Sequence, residues 1–123
     1  MIHIAMGLLL LIGLAHSILG EIFILIPLFR LPNLPRLLGG DVFTRRTLRF
    51  AWHLTTIAWW GIGAALPAIV APSPGNAAIC LYIISFTFLV SGLMSAGFTR
   101  GVHVSWIVFF AISFICFYKA ITG

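Results

Sequence analysis

A few side chains in this sequence can hold a ligand or a proton in apolar surroundings. They are the lone glutamate Glu21, the histidines His16, His53 and His103, and the arginine Arg49. Ionisable groups inside a membrane are costly, so they pair with one another and mark ligand sites or proton paths. Imidazole is the usual nitrogen ligand for zinc, copper, iron and haem, and a carboxylate can complete a mixed set. His53, Glu21 and His103 therefore form the expected metal set, with haem or a transition metal as its cofactor. Glu21, His53, Arg49 and His16 form the broader expected ligand or proton site. The signal lacks a fixed spacing, because no histidines fall at i, i+3 or i, i+4 and neither HExxH nor CxxC occurs. Cys80 and Cys116 each lie in apolar runs and read as small packing residues.

The rest of the composition says what must position these groups. The chain has 123 residues, 62% hydrophobic and 7% charged, with a mean hydropathy of +1.19. So few charges cannot cover the surface of a water-soluble domain of this size, so the lipid bilayer is the expected surrounding. The formal net charge of +5 does not indicate nucleic acid, because the basic residues gather beside an apolar segment: Arg30, Arg36, Arg45, Arg46 and Arg49. There they would serve topology and anionic headgroups.

Apolar runs and breakers predict an all-α fold, a single four-helix transmembrane domain over residues 1–123. The helices are expected at 2–28, 42–70, 77–97 and 102–121. The first begins without a basic leader and reads as a retained span rather than a cleaved signal. Pro27, Pro32 and Pro35 end it, Leu37 and Leu38 are expected to lie along the headgroup layer, and Gly39–Gly40 gives a flexible break. Asp41 or Thr44 should cap the second helix. Pro67 falls in its last turns, ahead of a tight loop at Ala71–Asn76. The loops hold five, zero and one basic residues in turn, so the positive-inside rule predicts loop 30–49 in the cytoplasm and both termini outside a bacterial inner membrane.

Depth and helical phase then limit which groups meet. Glu21 lies about 8 Å from the end of its helix, and His53 follows Arg49 by one turn, so Glu21, Arg49, His53 and His103 are expected in one layer of the cytoplasmic third. His16 sits deeper, about two turns from His53, and is turned about 140° from Glu21. It aligns instead with Gly13 and Gly20, a face suited to close helix contact. Arg46, Arg49, His53, Thr56 and Trp60 fall on one stripe of the second helix and should look inward. The tryptophans read as lipid-facing or core bulk.

Three function classes follow. The leading expectation is that the polar layer binds a metal or haem iron. A second is a small transporter or channel: one carboxylate in the first of four helices, in a chain this short, resembles small multidrug-resistance-type proton-coupled exporters, and that resemblance implies a proton site at Glu21. A third is a structural or accessory subunit of a larger membrane complex, or a homo-oligomer, drawn together by small residues such as Gly13, Gly20, Gly61 and Gly92. No loop is long enough to hold a soluble catalytic domain, so an enzyme is the less expected outcome.

Overall fold

The computed structural model describes residues 2–38, 40–71 and 73–123. These form four long helices: α1 (Ile2–Phe29), α2 (Asp41–Val70), α3 (Asn76–Thr99) and α4 (Ser105–Thr122). All four are long and apolar enough to cross a membrane, and the described residues hold no strand beyond one Leu37–Gly40 bridge. The fold is thus an all-α four-helix bundle. Its strong interfaces join sequence neighbours: α1 on α2, α2 on α3, and α3 on α4.

In α1, the turn Glu21–Leu25 is π-helical, with the Ile26 amide donating to the Glu21 carbonyl. The extra residue in that turn was not legible in the sequence. It turns Leu25 and Phe29 inward, to 2% and 7% exposure, and such wide turns recur at functional sites. Beyond Phe29 the prolines keep the chain irregular, as expected.

The start of α2 departs from expectation. No side chain caps it. Asp41 is drawn instead to Arg45 one turn along (2.6 Å), and the Thr44 hydroxyl donates to the Pro35 carbonyl (2.7 Å). An i, i+4 guanidinium competes directly with the free amides for the carboxylate. The Thr44 bond ties the loop to the first turn of α2. Gly39, half of the expected break, and Pro72, in the α2–α3 loop, lie outside the described residues. In that loop Gly75 takes a left-handed conformation (φ 92°) and the Asn76 side-chain Nδ2 donates to the Ala68 carbonyl (3.0 Å).

Small residues set the helix spacing. A Cβ at Gly13 would strike the Trp60 indole, one at Gly20 the Trp52 indole, one at Gly61 Thr87, and one at Gly92 Phe110. The α3–α4 seam is laced by serines. Ser85 and Ser113 exchange hydroxyl-to-carbonyl bonds at 2.8 Å, and Ser95 meets Ser105 at 2.7 Å. Each hydroxyl satisfied this way costs little in an apolar interior. The start of α4 falls at Ser105, three residues after the expected 102. Gly101 (φ 77°) and the Val102 amide bond to Thr99 form a tight turn there.

Candidate functional site

Glu21, Arg49 and His53 meet on the α1–α2 seam. Arg49 Nη2 lies 2.8 Å from Glu21 Oε1, and its Nε donates to Oε2 at 3.2 Å, a two-pronged pairing. The Arg49 guanidinium also lies over the Phe29 ring, 5.0 Å from its centre. The turn Glu21–Leu25 places Phe29 there, so the π-helical turn helps hold the arginine at the mouth of the seam. His53 Nε2 is 3.2 Å from Glu21 Oε2.

From His53 the polar contacts continue inward. Its Nδ1 is 3.0 Å from Ser17 Oγ, Ser17 Oγ is 2.8 Å from Thr56 Oγ1, and the Thr56 hydroxyl donates to the Gly13 carbonyl at 3.2 Å. Glu21 and Ser17 are one turn apart on α1, as His53 and Thr56 are on α2, so two antiparallel helices present the four groups in order. The chain runs without a gap from Arg49 to Gly13. Thr56 falls on the inward stripe expected from the sequence, but nothing in the sequence shows that it and Ser17 link His53 to the α1 backbone.

His16 lies on the same seam, turned to a different side. Its ring stacks on Trp52 (centroids 4.6 Å, 3° between planes), with Trp59 edge-on at 5.0 Å. The expected two-turn offset between His16 and His53 does not hold, since His53 reaches Ser17, the neighbour of His16. Direction around the helices separates the two histidines, not depth. The tryptophans also do more than fill space: Trp52 Nε1 donates to the His16 carbonyl (3.1 Å) and Trp60 Nε1 to the Leu10 carbonyl (3.4 Å).

His103 does not join the layer. Phe50 stands edge-on to it at 5.2 Å and Phe43 stacks at 6.0 Å, while its Nδ1 is 2.8 Å from Ser105 Oγ. Arg49 and Phe50 are about 100° apart around α2, so one faces α1 and the other the α3–α4 turn. Among the described residues no three His, Cys, Asp or Glu side chains gather as a metal site would need.

Clefts among the described residues have apolar linings and lie away from the Arg49–Gly13 chain of contacts. The two flanking the Gly61–Thr87 crossing measure about 380 and 490 Å³. Fold and site together define a small all-α protein suited to a bilayer, with an ion pair and an imidazole between its first two helices. Protein-family models, characterised proteins and solved structures all fail to match the chain.

Proposed function

We propose that His53 is a proton-binding centre and that the protein moves protons across the inner membrane, taking them up at the cytoplasmic face. The unbroken hydrogen-bonded chain Arg49–Glu21–His53–Ser17–Thr56–Gly13 carries this reading. With His53 neutral, Nε2–H donates to Glu21, and Nδ1 accepts from the Ser17 hydroxyl, which in turn accepts from Thr56. A proton added at Nδ1 reverses the two hydroxyls. Nδ1–H then donates to Ser17, Ser17 to Thr56, and Thr56 to the Gly13 carbonyl. The protonated state completes every link of the chain, the neutral state leaves only the Thr56–Gly13 link without a hydrogen, and Glu21 lies beside the imidazolium as its counter-charge. Hydroxyl and imidazole groups can each give and accept a proton, which a purely packing role does not require.

The expectation of a resident metal or haem iron has less support. Both nitrogens of His53 and both oxygens of Glu21 are engaged within the chain, and His103 stands on another seam. An accessory-subunit role draws on a different observation, the broad apolar faces left exposed, such as Leu8, Leu11, Phe23, Phe86 and Phe114.

The test is an imposed pH gradient across liposomes containing the purified protein and an internal pH-sensitive dye. The gradient should decay several-fold faster than in protein-free vesicles, and His53→Ala should return the rate to that baseline. Equal decay with and without wild-type protein would sink the proposal.

A further inference from the structure

A second polar cluster on the α1–α2 seam faces away from the relay and has a separate use. His16 lies near the middle of α1, at the depth where a bilayer holds no water. Its Nε2 is 2.9 Å from Thr55 Oγ1 and 3.3 Å from the Trp52 carbonyl, and the Thr55 hydroxyl donates to that same carbonyl at 2.7 Å. Thr55 has spent its only proton, and a carbonyl has none to give. With the Thr55 proton on the Trp52 carbonyl, the tautomer that satisfies both contacts carries its proton on His16 Nε2, which donates to both oxygens. The neutral ring then presents a bare lone pair at Nδ1, and no described residue donates to it.

Trp59, edge-on to His16 at 5.0 Å, has the opposite lack. The indole N–H groups of Trp52, Trp60 and Trp106 each reach a backbone carbonyl. Trp59 Nε1–H has no acceptor among the described residues. Neither atom is sealed inside the chain, since Thr47 Oγ1 is the one buried side-chain nitrogen or oxygen without a partner among those residues. A donor and an acceptor thus stand side by side, reachable from the hydrocarbon, where unmatched polar groups are unfavourable.

A patch holding one donor and one matching acceptor is self-complementary about a two-fold axis. We propose that the protein is a parallel homodimer across this face, with Trp59 Nε1–H of each protomer donating to His16 Nδ1 of its partner. A two-fold along the bilayer normal keeps both arginine-bearing ends on one side. By helical spacing, exposed Ile12, Leu19 and Ile62 frame the patch and would pack around the paired bonds. The proposal does not rest on the proton reading, because His16 and Trp59 make none of the relay's contacts.

The experiment counts photobleaching steps of singly labelled, full-length protein in liposomes over a series of protein-to-lipid ratios. Wild type should pass from monomer to dimer as the ratio rises. Trp59→Phe keeps the ring and removes the N–H, and His16→Phe removes the lone pair. Each deletes two symmetry-related bonds and should weaken dimerisation by about tenfold. Trp106→Phe, whose indole is satisfied within its own chain, should dimerise as wild type does. Wild-type protein that stays monomeric at every ratio overturns the dimer, as does a Trp59→Phe variant that pairs undiminished. Quenching of Trp59 fluorescence by an added isoprenoid quinol, in protein that stays monomeric, would assign the patch to a lipid-soluble ligand instead.

Discussion

Without Glu21, the Arg49 guanidinium would keep its place over Phe29 with no carboxylate in reach, because Asp41, the other acid in the sequence, is bound to Arg45. Leaving one member of a desolvated charge pair is worse than removing both. Glu21→Gln should therefore cost about 1–3 kcal/mol of stability. The double variant Glu21→Gln/Arg49→Gln should cost less than the two single changes together. Reversible unfolding in bicelles measures both, and strict additivity would mean that the pair does not couple. Thr47 gives the opposite case. Its buried hydroxyl has no partner among the described residues, so Thr47→Val, which keeps the shape, should be neutral or stabilising by up to about 1 kcal/mol. A clear loss of stability in the same assay would mean that the hydroxyl is satisfied in the membrane.

At the scale of the helices, glycine position decides whether a methyl group is tolerated. Gly13 and Gly20 lie under the Trp60 and Trp52 indoles, and both indoles are pinned by bonds to α1 carbonyls. A pinned ring cannot yield without giving up its bond. Gly20→Ala should thus open the α1–α2 seam and cost about 1–3 kcal/mol. Gly7, on the same helix, has open space where its Cβ would go, and Gly7→Ala should be neutral or stabilising by up to about 1 kcal/mol. Thermal unfolding in detergent would show whether the two changes part in this way.

The same elements show what the sequence could reveal. Apolar runs between Pro and Gly breakers located four helices, because hydrocarbon leaves a backbone few other ways to satisfy itself. Phase alone placed Gly13, His16 and Gly20 on a contact face. The π-helical turn at Glu21 escaped, since it depends on inter-helix packing rather than on any residue type. So did the separation of His103 from Arg49: both occupy the arginine-bearing end, and only the facing of Phe50 toward the α3–α4 turn tells them apart.

For the molecule as a whole, charge is the quantity left unbalanced. Both acids are already matched, Glu21 by Arg49 and Asp41 by Arg45, which leaves Arg30, Arg36, Arg46 and Arg100 without an acidic partner anywhere in the chain. All four lie at one end of the bundle, in or beside the α1–α2 and α3–α4 connections. Lys119, near the end of α4, is the remaining basic residue. Basic residues in short loops resist translocation, so this end is expected in the cytoplasm and both termini outside. A reporter active only outside should work when fused after Gly123 and fail when inserted in the 31–38 loop. Arg30, Arg36, Arg45 and Arg46 exchanged for Gln, with arginines added to the Ala71–Asn76 turn, should invert that pattern. The α1–α2 ion pair travels with the helices, so the inverted protein should keep its fold while carrying its polar layer toward the opposite face. If the reporter pattern survives the exchange, loop charge does not set the orientation; if instead the wild-type reporter works in the 31–38 loop and fails after Gly123, a proton reaching Glu21 would not come from the cytoplasm.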